Sequence, residues 1–241
     1  MTLELCRGQP NADYNFAGTA TTLTPWEVFV DPATRDMYVA DATLNFTGRY
    51  TYPYNAATPV STLGGGGPVS ATTMWKPQGV VLDSQDNLWV VDTFNSRVLR
   101  WTSSTRTITG APASQVLGQQ DFVSNGVAPV TAASMWSPVG IDIDKKGTLW
   151  VIDTNNLRAM RFQNAATLSN GSSADLTFGG HAGSGCNPPC FVIPTAIVLS
   201  PSGDLFVADQ GRSLVVRGFI ELTIEKGDTL TSKPLDQCMY V

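Results

Sequence analysis

The sequence predicts an all-β fold, a β-propeller of four-stranded antiparallel blades. Three observations predict it. A unit beginning at proline recurs four times, at Pro25, Pro77, Pro138 and Pro194, so the units start 52, 61 and 56 residues apart. That spacing is the length of a blade with long loops. The apolar runs are short, rich in Val, Ile and Trp, and bounded by turn residues, which favours strands. No window keeps helical periodicity over three turns.

Each unit opens on a strand and a hairpin partner that ends in aspartate. Pro25–Asp31 is followed by Met37–Asp41, Pro77–Asp83 by Leu88–Asp92, Pro138–Asp144 by Leu149–Asp153, and Pro194–Ser200 by Leu205–Asp209. The tetrads Ser84–Asn87, Lys145–Thr148 and Pro201–Asp204 suit tight hairpins. Gly and Asn accept positive φ there, and Asp bonds its own following amides. Third strands are expected at Arg97–Trp101, Arg158–Phe162 and Leu214–Arg217, and fourth strands at Ser114–Gly118 and Asp175–Gly179. The whole chain, 1–241, therefore reads as one domain, with units at about 7–62, 63–118, 119–178 and 179–241. Residues 2–6 form an N-terminal strand expected to complete the last blade.

Polar positions recur with the strands. An arginine follows each strand-ending aspartate by eight residues: Asp41 and Arg49, Asp92 and Arg100, Asp153 and Arg161, Asp209 and Arg217. Asn95 and Arg97, then Asn156 and Arg158, intervene in the second and third units. The expected use is structural, the aspartate capping loop amides while accepting from arginine on the neighbouring strand. The following aromatic (Tyr50, Trp101 or Phe162) is expected to cover the guanidinium stem. Four symmetric catalytic sites would be odd chemistry.

Residues 77–101, Pro-Gln-Gly-Val-Val-Leu-Asp through Asn-Leu-Trp-Val-Val-Asp-Thr-Phe-Asn-Ser-Arg-Val-Leu-Arg-Trp, resemble an NHL repeat. Val116-Leu-Gly-Gln-Gln-Asp-Phe122 resembles the Gly-Gln-x-Asp-Phe segment of multi-repeat NHL proteins, and Gly8–Tyr14 is a looser copy. The resemblance covers about residues 6–219 and implies a propeller, usually six-bladed. Four units fit either a closed four-bladed ring, the favoured arrangement, or part of a six-bladed one. An open arc completed by another subunit also fits. NHL-like amidating lyases hold zinc with several histidines, and this chain has one, His181. Calcium-dependent lactonase-type propellers use channel carboxylates and asparagines, for which Glu27, Asp142, Asn155 and Asp209 qualify by type.

Composition narrows the function. A net charge of −5 argues against nucleic acid or an anionic membrane as partner. No apolar run approaches the roughly 20 residues needed to span a bilayer, so direct membrane insertion is not expected. Gly64–Gly67 is followed by Pro68 and lacks the Gly-Lys-Ser/Thr of a phosphate cradle. No Gly-x-Ser-x-Gly nucleophile motif accompanies His181. Cys186 and Cys190 frame a short Cys-Asn-Pro-Pro-Cys loop that reads as a local disulfide, with free thiols as the alternative. Zinc would need partners that are missing. Cys6 and Cys238 lie near the two ends and are candidates for a second bridge across the ring seam. The sequons Asn45-Phe-Thr and Asn170-Gly-Ser are compatible with glycosylation. Together these features favour an extracellular or cell-surface setting, with no signal peptide visible at Met1.

Two acids stand out on the expected innermost strands, Glu27 and Asp142. The other units place Phe29, Val81 and Val198 where Asp142 stands. Trp75 and Trp136, each preceded by methionine, are inter-blade plugs or exposed binding anchors. The expectation is a non-catalytic binding or scaffold module, with protein partners or self-assembly and no cofactor or metal. A calcium-dependent lactonase- or lyase-type enzyme is the alternative.

Overall fold

The computed structural model describes residues 24–219, except 55, 57, 128 and 181–189. Within these, fifteen strands and four short 3-10 turns form the fold, and the α-helix is absent. Blade 1 holds β1 (Pro25–Val30), β2 (Met37–Asp41), β3 (Phe46–Tyr50) and β4 (Ser61–Gly64). Blade 2 holds β5 (Gly79–Leu82), β6 (Leu88–Asp92), β7 (Arg97–Trp101) and β8 (Gln115–Leu117). Blade 3 holds β9 (Ile141–Ile143), β10 (Leu149–Asp153), β11 (Arg158–Phe162) and β12 (Leu176–Gly179). In blade 4, β13 (Pro194–Leu199), β14 (Asp204–Asp209) and β15 (Leu214–Phe219) make three described strands. Every sheet is an up-and-down antiparallel ribbon in chain order. The four blades are arranged as a β-propeller.

Alternation along the strands explains the packing. In a strand, successive side chains face opposite ways, so each blade presents one face to the blade before it and one to the blade after. Tyr38, Ala40 and Leu63 of blade 1 pack on Val80, Val90, Leu99 and Trp101 of blade 2. The other face of blade 2, with Val81, Trp89, Val91 and Val98, packs on Ile141, Val151 and Met160 of blade 3. Trp150, Ile152 and Ala159 then meet Ile197, Val207 and Val216 of blade 4. The core is thus three interfaces in series, as expected for strands buried on both faces.

Inner strands follow one another around the centre, β1 packing on β5, β5 on β9 and β9 on β13. Among the described residues no comparable packing joins β13 to β1. Contact between the outward faces of blades 1 and 4 is therefore less extensive, among the described residues, than contact between successive blades. The expected closing strand 2–6 and Cys6–Cys238 lie outside the described residues.

Glycine explains the Pro-x-Gly signature. A Cβ on Gly140 would lie 2.9 Å from Ala196 Cα and 3.0 Å from the Thr195 carbonyl oxygen. A Cβ on Gly79 would sit 2.6 Å from the Val139 carbonyl oxygen. Backbone thus approaches backbone where consecutive inner strands meet, and a side chain would force them apart.

Candidate functional site

The strand-ending aspartates cap loops in all four blades. Asp92 Oδ1 accepts the Trp75 N–H at 2.7 Å, and Asp153 Oδ1 accepts the Trp136 N–H at 2.7 Å. Asp41 accepts from Thr24, Thr43 and Leu44, and Asp209 from Val192 and Ile193. The arginine partners differ from the eight-residue expectation. Asp92 and Asp153 receive Arg97 and Arg158, each through Nε at 2.8 Å. Antiparallel register sets these arginines directly opposite the aspartates, whereas Arg100 and Arg161 stand opposite Trp89 and Trp150. Three residues along a strand reverses the face.

The later arginines therefore find other partners. Arg49 pairs with Asp36 at 2.6 Å, Arg161 with Asp175 at 2.6 Å and Arg217 with Asp204 at 3.1 Å. Arg100, Arg161 and Arg217 lie over Trp89, Trp150 and Phe206, at 5.7, 5.8 and 5.9 Å from the ring centres. The aromatics that follow them in sequence, Tyr50, Trp101 and Phe162, are instead buried in the core.

Glu27 and Asp142 each reach across to the next blade. Glu27 Oε2 accepts the Val80 N–H at 2.9 Å, and Asp142 Oδ2 accepts the Leu199 N–H at 2.6 Å. Asp142 Oδ1 also accepts the Ile143 N–H at 2.8 Å. An inner strand has a sheet neighbour on one side only, so these carboxylates satisfy edge amides that would otherwise lack partners. Burial pushes the Glu27 carboxyl up to about 7, opposed by its bond from Val80 and reinforced by the charge of Asp142. Burial likewise raises the Asp142 carboxyl, against the bonds from Leu199 and Ile143 and with the Asp144 charge adding to the rise. Both acids act as braces between blades.

The two ends of the propeller differ. At the end where the second strands finish, Met74 and Met135 are buried while Trp75 and Trp136 are 50% and 40% exposed. The Met-Trp pairs divide the two expected roles: methionine plugs the blade gap and tryptophan faces out. Gly64 and Gly118, at φ 86° and 87°, end the preceding outer strands, and a Cβ on either would strike Met74 or Met135. Trp75 meets Phe94 edge-on at 5.3 Å, and Lys76 Nζ lies 4.7 Å from the Phe94 ring centre. Val192 and Ile193, just before β13, and Trp26, within β1, are also exposed. An aromatic, sparsely charged rim thus runs across the blades at this end.

Sequence reasoning missed what holds the rim. Pro68-Val-Ser-Ala-Thr-Thr-Met-Trp and Pro129-Val-Thr-Ala-Ala-Ser-Met-Trp are copies of one turn. Thr73 donates its hydroxyl to the Pro68 carbonyl at 2.8 Å, and Ser134 to that of Pro129 at 2.9 Å. Arg97 Nη2 donates to the Ser70 and Thr73 carbonyls at 2.9 Å, and Arg158 Nη2 to those of Thr131 and Ser134 at 2.7 Å. The signal was the second copy of the segment itself.

At the opposite end a cleft of about 840 Å³ opens between the hairpins of blades 3 and 4. Asp142, Lys145, Lys146, Arg161, Ser200 and Ser202 are among its lining residues. Ser200 and Ser202 bond each other at 2.8 Å and the Asp204 carboxylate, and Arg161 is held by Asp175.

Among the described residues no group of three His, Cys, Asp or Glu side chains is placed to hold a metal ion. Of the calcium candidates, Asp209 is occupied by the Val192 and Ile193 amides, and Asn155 sits in the turn beside Trp136, whose carbonyl its N–H bonds at 3.2 Å. The sequon residues lie at blade junctions, Asn45 Oδ1 accepting the Lys76 N–H at 2.8 Å and Asn170 Oδ1 the Val116 N–H at 3.0 Å. Cys190 borders its loop, while Cys6, Cys186, Cys238 and His181 lie outside the described residues. No helix among the described residues is long and apolar enough to cross a membrane.

No family model matches the sequence, and no curated protein does. Solved structures do match. A virginiamycin B lyase from Staphylococcus aureus, solved with quinupristin as a catalytically inactive variant, aligns at TM-score 0.54 and 18% identity, over 82% of this chain and 53% of that one. An auxiliary nutrient binding protein from Bacteroides thetaiotaomicron aligns at TM-score 0.55 and 15% identity, over 77% and 45%. A nidogen/laminin complex aligns at TM-score 0.54 and 16% identity, over 81% and 59%. The chain has the fold of β-propeller proteins. It spans about half the length of the structures it resembles, and enzymes and binding proteins both stand among them.

Proposed function

We propose that this chain is a non-catalytic binding or scaffold module of NHL type, engaging protein partners or further copies of itself outside the cell or at its surface. The observation that carries the reading is the aromatic end, where Trp75, Phe94 and Trp136 are exposed on rigidly held turns. Exposed aromatics on a fixed scaffold, with few charges between them, have the makeup of an interface core. The acids that a channel enzyme would use, Glu27 and Asp142, are engaged as braces by backbone amides. The sequons Asn45 and Asn170 and a Cys186–Cys190 bridge belong to the same extracellular reading.

A photo-cross-linking residue placed at position 75 or 136 of the native protein tests it, with Gln85 at the opposite end as control. Polypeptide adducts at 75 and 136 but not at 85 are expected. Equal labelling at all three positions, or none at 75 and 136, contradicts the assignment of this end.

A further inference from the structure

We propose that the two outward faces of the blade array close on a second copy of this chain, blade 4 of each copy seated on blade 1 of the other. The inference deepens the self-assembly arm of the proposed function, and it uses faces separate from the aromatic end.

The three interfaces inside the chain define what such a contact requires. In each, the fourth residue after the proline on one inner strand meets the inner strand of the next blade. Phe29 packs in the cluster of Val80, and Val81 in that of Ile141. At the third interface Asp142 bonds the Leu199 amide. The outward faces repeat these positions without their partners. Val28 is 49% exposed, whereas Val80, its equivalent in blade 2, is 2% exposed. Val198 of blade 4 is 57% exposed, whereas Val81 is 4% exposed. Val30 and Val215 are also exposed, and Phe206 half-buried, where blade 2 buries Leu82, Val98 and Trp89.

The outward faces are thus the two complementary halves of one interface. Blade 1 offers the half that receives, and blade 4 the half that inserts. Among the described residues no packing comparable to that between successive blades joins them. Apolar sheet faces of this kind destabilise an isolated repeat array and favour association. A second copy supplies both missing halves at once. Head-to-tail contacts of this type form a ring when the rotation closes, here eight blades about a two-fold axis. The solved structures that share the fold extend well beyond the aligned blades, which cover 45 to 59% of their chains. Glu27 between blades 1 and 2 demonstrates that the contact tolerates a side chain at the position of Gly140, so Ala196 is compatible with it.

Sedimentation equilibrium of the full chain tests the proposal. The wild-type protein is expected at twice the chain mass. Val28→Glu or Val198→Glu places one unpaired charge in the contact and is expected to weaken association at least ~100-fold. Both residues are exposed in the single copy, so each variant retains its fold, checked by thermal unfolding. The pair Val28→Glu with Val198→Lys is expected to restore the dimer. A wild-type monomer at all concentrations, a polymer in place of the dimer, or single-charge variants that associate like wild type would overturn it. The Trp75→Ser/Trp136→Ser variant is expected to remain dimeric, and its dissociation would also overturn the proposal. Loss of cross-linking at 75 and 136 with the dimer intact would instead count against the aromatic end alone.

Discussion

Arg97 satisfies four acceptors from a fully buried position: Asp92, the Phe122 carbonyl, and those of Ser70 and Thr73. The planar guanidinium fork can do this, and an ammonium cannot. Arg97→Ala leaves the Asp92 carboxylate buried without its charge partner. It is expected to cost about 3–5 kcal/mol in denaturant unfolding, and Arg97→Lys a large part of that. Loss of less than about 1 kcal/mol in the alanine variant would contradict a bracing role. Glu27 makes a pH prediction. Its folded value of about 7 stands above the ordinary 4.5. Between those values the unfolded chain has released the proton that the folded chain keeps, so this group's contribution falls as pH rises through that window. Glu27→Gln keeps an acceptor for Val80 but does not titrate. It is expected to raise the melting temperature above pH 7 and flatten the profile between 4.5 and 7, and an unchanged profile would contradict the assignment.

At the scale of the element, glycine at the third residue of the inner-strand signature sets blade spacing. Gly140→Ala would press a methyl group against the backbone at Thr195–Ile197. It is expected to lower stability by about 1–3 kcal/mol, read in thermal or denaturant unfolding, whereas Gly126→Ala, with open space around its Cβ site, should cost little. The strands were legible because alternation, β-branched residues and Asp-capped hairpins agreed in all four units. β7 and β11, for example, span Arg97–Trp101 and Arg158–Phe162 as the sequence predicts. The Asp–Arg pairing was not, because an eight-residue spacing does not reveal where the intervening turn places the return strand. The short turn at Thr93–Asn95 puts Arg97, not Arg100, opposite Asp92. The division of each Met-Trp pair was equally hidden, since both residues are apolar and only the positive-φ glycine before the turn decides which one fills the gap.

For the whole molecule, repetition conveyed the blade plan but not closure. Closure depends on whether the first and last faces meet, and no local pattern at Val28 or Val198 differs from that of a buried strand. The candidate site was legible in its residue types, Glu27, Asp142, Trp75 and Trp136, and less so in their use. A lone acid on an inner strand reads from sequence as a channel-facing group, and no sequence pattern announces the bonds it accepts from Val80 and Leu199 in the next blade. These two carboxylates hold neighbouring blades together, and the proposed function is one of binding. Thermal unfolding with calcium and with a chelator, for wild type and Asp142→Asn, tests it most directly. The wild-type melting temperature is expected to be the same in both buffers, and in both that of the variant is lower, because an amide offers one oxygen where the carboxylate offers two to the Leu199 and Ile143 N–H groups, a loss of about 1 kcal/mol. A calcium-dependent rise in wild type that Asp142→Asn abolishes would contradict it.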